Sequence, residues 1–481
     1  MKKYLYKSSV LALFASVLLT SCDPEVDAPA AVSGQADFSS YLAVGNSLSA
    51  GYADGGLYRE GQLTSTPAIL AQQFEVVDGG EFVQPLFSEA QRNGSGYLRL
   101  VGFTPQGTPI TAKVTTDLAV RGVNDKGMPL YTKFTGTINN LAVPGIRVAD
   151  VKTPGYGSVQ GNPFFERLTD NPMQTYLQFV QEKAQAVSHT FFSLWMAEND
   201  VLAYATSGGA FSGGALNSDA QKITPVPTFD ENFSALVNVL TADGEEGILV
   251  TIPDITAIPF FTTVGGSVKQ LLAANNIPGL VALTGSGSSR IQIGTAQINA
   301  AQNGVFFPLT ASTYAPLVGQ PTGRYWRELA RQVSPSQDPV IVRGTLASLL
   351  ANYQVDTTAM FGLSAGNPLP SALVLDATEQ QNIKTATTAF NNIIRAQAEA
   401  KNLALWDAHT FFNNIKGGFS RNGVSYSPAY ITGNLFSLDG IHLTPRGNAI
   451  AANEMIKAIN SKYGSNVPLV DETQYRTVLL P

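Results

Sequence analysis

Four short, largely apolar runs punctuate the chain, at residues 41–44, 190–196, 247–252 and 403–406. Continuous apolar runs of this length, without polar alternation, predict strands buried on both faces, as in a parallel sheet. Between and after them lie segments of helical period. Residues 67–74 are apolar on one face, and Met173, Tyr176, Leu177 and Val180 follow helical spacing. Residues 233–240 form a third such segment, just ahead of the third run. A longer helix opens at Asp376, with Glu379 three residues on as a capping box. It carries Ile383, Ala386, Phe390, Ile393 and Ile394 on one side. The last helix opens at Thr444-Pro445, a cap followed by proline at the first helical position. It presents Ile450, Ala451, Met455, Ile456 and Ile459 to a core. Strands alternating with helices predict an α/β sandwich around a mostly parallel sheet.

Two stretches break this rhythm. Residues 76–138 are rich in Gly, Thr and Val, and read as β-hairpins or irregular insertion. Residues 262–372 are rich in Gly, Ser, Pro and Gln, without a strong period. Both exceed simple loops. They read as excursions covering one face of a single catalytic core, with no second core of their own.

The start of the chain has a different character. Lys2, Lys3 and Lys7 precede an apolar run over residues 10–19, which ends in Leu19-Thr20-Ser21-Cys22. The run is short for a bilayer span and suits a signal peptide. Its end resembles the bacterial lipoprotein box, in which the cysteine becomes the lipidated first residue. Cys22 is the only cysteine in the chain. The expected organisation is a signal peptide over 1–21, a tether over 22–38, the catalytic domain over 39–462 and a tail over 463–481. Localisation is expected to be the bacterial cell envelope, lipid-anchored and at the outer membrane.

Composition narrows the function. Lys+Arg 30 against Asp+Glu 36 gives a net charge of −6, and the three lysines of the expected signal peptide make the remainder more negative still. A nucleic-acid binder normally carries a basic footprint. A single cysteine excludes a disulfide framework or a Cys-rich zinc site, and three histidines leave little for a His-built metal centre. No cofactor is expected.

The first run is followed by Gly45-Asn46-Ser47-Leu48-Ser49-Ala50-Gly51-Tyr52. Ligands of α/β sheets bind beyond the carboxyl ends of strands, so Ser47 is placed as a nucleophile. Near the other end stands Leu438-Asp439-Gly440-Ile441-His442-Leu443-Thr444. Asp439 and His442, three apart at a helix entrance, can face one site. An imidazole takes the serine proton and a carboxylate fixes its tautomer. Gly145, within Asn140–Gly145, and Asn199, directly after the second run, can supply N–H donors to an oxyanion together with the backbone of Ser47.

Taken together these segments resemble the GDSL-type, or SGNH, hydrolase superfamily. Gly45-Asn46-Ser47-Leu48 answers its first block, Gly145 the second, Asn199-Asp200 the third, and Asp439 with His442 the fourth. The resemblance runs from residue 40 to about 460. It implies a flavodoxin-like three-layer α/β/α fold and ester hydrolysis through an acyl-serine, without metal or cofactor. Two positions depart from the pattern. The usual Asp before the serine is Asn46, and the Gly that opens the third block is Ala197. The second change is mild unless the backbone there demands glycine. Gly-x-Ser-x-Gly is absent, against an α/β-hydrolase elbow. His189 and His409 read as structural, and Asp254 sits at the sheet end where it can line the pocket. Phe260, Phe261, Phe306 and Phe307 are candidates for an apolar acyl site, and more often plain core.

The resulting expectation is an exported, lipid-anchored serine esterase or lipase. Ser47, His442 and Asp439 form its triad, and Ser47, Gly145 and Asn199 its oxyanion hole. Its substrate is an acyl lipid or acylated sugar. The rival is a surface lipoprotein on the same fold that binds lipid or glycan without hydrolysis, motivated by Asn46.

Overall fold

A computed structural model describes residues 30–105, 107, 109–209 and 221–481. Its centre is a four-stranded parallel sheet of β1 (Tyr41–Gly45), β2 (Phe191–Trp195), β3 (Glu246–Val250) and β4 (Ala404–Trp406), hydrogen-bonded in that order. Tyr41 pairs with Phe191, Phe191 with Glu246, and Ile248 with Ala404. β1 and β2 are buried at every position, as their unbroken apolar sequences require. Beyond β1, the segment 139–143 runs parallel to it. Ala43 N–H donates to Asn139 O, Leu141 N–H to Ala43 O and Val143 N–H to Gly45 O. Counting this edge segment, the spatial order is 2-1-3-4-5 in chain sequence. That order has its switch point between β1 and β2, where ligands bind in open sheets of this kind.

Helices flank the sheet. α1 (Ser47–Ala50) follows β1, and α2 (Thr66–Glu75) packs on the last helix, α7 (Pro445–Tyr463). α3 (Tyr176–Val187) and α6 (Ala377–Ala400) each pack on α5 (Val226–Leu240), and α4 (Asn199–Thr206) joins them through α6. This is the α/β/α arrangement expected from the alternation of runs. α6 has the Asp376/Glu379 capping box. Met173 lies outside α3 and is exposed. The helix begins only after Thr175, which forms its own capping box with Gln178. Tyr463, at the end of α7, donates through its hydroxyl to Gly247 O and accepts from Ala404 N–H, so the helix foot is pinned to the starts of β3 and β4. The chain enters at this same end, with Gln35 N–H donating to Tyr463 O.

Residues 76–138 contain two antiparallel hairpins, Leu98–Phe103 with Pro109–Lys113 and Val120–Val123 with Pro129–Tyr131. The second long stretch differs from expectation. It holds helices Val264–Ala274, Arg324–Val333 and Pro339–Asn352 and the hairpin Gly279–Leu283/Arg290–Gly294. It also builds a buried cluster separate from the main core, around Val268, Leu272, Leu280, Phe307 and Leu369. The apolar stripe Val264, Val268 and Leu272 has helical spacing but spans only three turns. Helices this short are stabilised by tertiary packing and not by propensity, so a weak period still gave order.

Candidate active site

α1 is a single turn, and its start is set by Asn46. The Asn46 side-chain oxygen caps Leu48 N–H at 3.0 Å, and Gly51 closes the turn in the left-handed region. This places Ser47 at the carboxyl end of β1, buried with its hydroxyl toward His442. Ser47 Oγ lies 2.8 Å from His442 Nε2, and His442 Nδ1 lies 2.8 Å from Asp439 Oδ2. The two halves of this relay are 395 positions apart in sequence.

The turn from Asp439 to His442 is held from several sides. Asp439 Oδ1 accepts from the N–H groups of Ile441 and His442, and Oδ2 accepts from Gly55 N–H at 2.8 Å. Burial alone would raise the Asp439 carboxyl, but the facing His442 and these hydrogen bonds outweigh it and hold the acid well below its ordinary range. The surroundings of Asp439 thus favour its carboxylate form beside His442. Asp54 accepts from Leu438 N–H, and its own N–H donates to Ser437 Oγ. Gly440 takes φ 71°, and its carbonyl accepts from Phe260 N–H at 2.9 Å. Tyr52 stands beside the His442 ring, with centroids 4.8 Å apart. Burial and the Asp439 charge push its phenol up, so it stays neutral.

Gly145 and Asn199 meet through a loop. Asn199 Nδ2 donates to Ile146 O at 2.9 Å, which spends one of its two amide hydrogens. It does not cap α4; Glu198 holds the cap position, and its side chain makes no bond to the N–H groups of that helix. Asp200 accepts from Val148 and Ala149 N–H and from the Thr224 hydroxyl, and burial pushes its carboxyl up to about 7. Asn162 holds Pro144 O at 2.8 Å. Gly145 itself has φ 82°, a conformation that favours glycine. Among the described residues no protein acceptor faces the N–H of Ser47 or of Gly145. Both remain available to a bound oxyanion.

The two departures from the family pattern have structural consequences. Asn46 Nδ2 donates to Glu198 Oε2 at 2.7 Å, and both groups are buried. Trp195 Nε1 donates to the other oxygen of Glu198, also at 2.7 Å. Burial raises the Glu198 carboxyl against these two donors. Ala197 has φ 120°, so its backbone does lie where glycine is favoured, and the alanine is strained there by about 1–3 kcal/mol.

A cleft opens beside Ser47, Asn199 and His442. Its wall is apolar, with Leu48, Leu202, Ile255, Ile258, Phe412 and Phe436 among the lining residues. Asp254 lines it too, but its carboxylate is paired with Lys416 at 2.8 Å and accepts from Thr256. The four candidate phenylalanines do not line it. Phe260 and Phe261 belong to the main core, Phe307 to the insertion cluster, and Phe306 packs on the main core. His189 bonds Leu240 O and His409 bonds Ile252 O, both structural. Among the described residues no three His, Cys, Asp or Glu side chains gather as a metal site needs. Cys22 lies outside the described residues.

Residues 291–455 match the family model of the GDSL-like lipases and acylhydrolases. That match covers 165 of the 481 residues, and over them the chain is similar to this hydrolase family. The matched region holds α6, β4 and the Asp439–His442 turn, and begins inside the second long stretch. The segments of Ser47, Gly145 and Asn199 lie ahead of it. A search of curated proteins finds no match to the chain. The similarity supports ester hydrolysis as the general chemistry.

Proposed function

We infer that this chain is a GDSL-like hydrolase, an exported, lipid-anchored serine esterase acting on carboxylic esters with an apolar acyl chain. The observation that carries the reading is the unbroken run Asp439–His442–Ser47, at 2.8 Å per contact, opening onto an apolar cavity. In this scheme Ser47 Oγ attacks the ester carbonyl carbon while His442 Nε2 takes the hydroxyl proton. The oxyanion is held by the N–H groups of Ser47 and Gly145 and by the second amide hydrogen of Asn199. Collapse breaks the bond to the alcohol oxygen, which leaves with the proton from His442. Water then attacks the acyl-serine, giving its proton to His442, and the acid departs as Ser47 recovers its hydrogen. Asp439 stays ionised throughout and stabilises the imidazolium.

The acyl preference rests on the cavity wall, whose few polar groups are already paired. Each methylene it buries is worth about 0.8 kcal/mol. The lipid anchor rests on the Leu19–Cys22 motif alone. Among the described residues no helix is long and apolar enough to cross a membrane.

A fluorophosphonate probe tests the chemistry. The parent labels and Ser47→Ala does not, and Ser47→Ala and His442→Ala each abolish nearly all turnover without multiplying in the double variant. A parent that hydrolyses no ester or thioester at any acyl length, and resists the probe, overturns the reading. Cys22→Ser tests the anchor: the variant should leave the membrane fraction and take up no labelled palmitate.

A further inference from the structure

Asn46 and Glu198 form a buried pair directly beneath the Ser47 turn, 1% and 5% exposed. Four groups are linked in one line of hydrogen bonds. Leu48 N–H donates to Asn46 Oδ1, Asn46 Nδ2 donates to Glu198 Oε2, and Trp195 Nε1 donates to Glu198 Oε1. The polarity of this line is fixed at both ends, because a backbone N–H and an indole N–H can only donate. Between two such donors the two side chains must together offer three acceptor roles and one donor. One amide and one carboxylate meet that count; two amides or two carboxylates do not.

We propose that Glu198 is a positioning residue for the nucleophile, and that it and Asn46 divide between them one carboxylate that either position can carry. In this chain the amide is at position 46 and the carboxylate at position 198. Glu198 holds the Asn46 amide in the rotamer that caps Leu48, and that cap fixes where Ser47 Oγ points toward His442. The inference rests on the reading of Ser47 as nucleophile.

Exchanging the two groups tests it. In Asn46→Asp two buried carboxylates face each other, and one must take up a proton or turn away. In Glu198→Gln one of two donors, the Trp195 indole or the Asn46 amide, is left without an acceptor. In the double variant Asn46→Asp/Glu198→Gln every hydrogen bond reforms, and only the central one reverses direction. Each single variant should lose about 10- to 100-fold in kcat with KM little changed, as a misaimed nucleophile does. The double variant should recover to within about threefold of the parent, a rescue that no independent pair gives. Losses that multiply in the double variant, or a Glu198→Gln protein that loses melting temperature while keeping parental kcat, overturn the proposal. If a single variant does not fold, the double variant decides: folding near the parental melting temperature supports the pair, and failure to fold refutes it. Were Ser47 not the nucleophile, Ser47→Ala would stay active while the coupling in melting temperature between positions 46 and 198 persisted, so the two failures are told apart.

Discussion

Removing the Asn199 amide separates two energies of different size. Its contact with Ile146 O is one half-buried hydrogen bond, worth about 0.5–1.5 kcal/mol of stability. Its second amide hydrogen, as an oxyanion donor, is worth roughly 10²–10³ in turnover, or about 2.7–4 kcal/mol. Ile146 directly follows Gly145, so the same substitution also loosens the loop that carries another donor. Asn199→Ala is therefore expected near the upper end, about 10³ in kcat, with a stability loss near 1 kcal/mol. Asn199→Asp is expected to be less stable than the alanine variant, because its carboxylate faces the Ile146 carbonyl at the 2.9 Å now bridged by N–H. A capping role would give the opposite order, since Asp caps as well as Asn. Denaturant midpoints give the stability, and the burst of alcohol from an activated aryl ester gives acylation per active site. An alanine variant within about threefold of the parent in acylation, or an aspartate variant of parental stability, refutes the assignment.

Leu202→Trp should fill part of the cavity, costing long-chain esters about 2–3 kcal/mol, roughly 10²-fold in kcat/KM, while acetyl esters are spared; equal losses across chain length would refute an acyl site. Gly440→Ala should cost more than about 1 kcal/mol, because φ 71° disfavours a side chain and the new carbon would sit 3.0 Å from Phe260 N. Its kcat should fall too, since the turn carries Asp439 and His442. Burial, with the neighbouring Asp376, pushes Glu379 up to about 8 from an ordinary value of 4.5. A raised folded pKa means that folding binds a proton in this window, so stability should fall as pH rises from 4.5 toward about 8. Glu379→Gln should remove that part of the slope in denaturant titrations, whatever its absolute stability.

Much of the fold was legible because it is written in local pattern. The four strands lie within a residue or two of the apolar runs, and Asp376 and Thr444 announce their helices by capping chemistry. Ser47, Asp439 and His442 were legible because each sits at a strand end or helix entrance, where side chains converge. The cavity wall was not. Ile255, Ile258, Phe412 and Phe436 come from separate stretches whose residues meet only in the folded chain. The Thr175/Gln178 capping box was present in the sequence, and the apolar spacing at Met173 masked it. The partnership of Asn46 with Glu198 joins residues 152 positions apart, and no local signal reports it. At position 197 the alanine itself carries no signal, and only the glycine of the resembled pattern pointed to the φ of 120° beneath it.

The pinning of the α7 foot to the starts of β3 and β4, with Gln35 bonded to Tyr463, gives the molecule a handle and a mouth at opposite ends. β1 leads from one to the other, five residues or about 17 Å of strand. The path from Gln35 to Ser47 therefore crosses the whole height of the sheet, so a change made where the described chain begins lies a full strand length from the residues that line the catalytic opening.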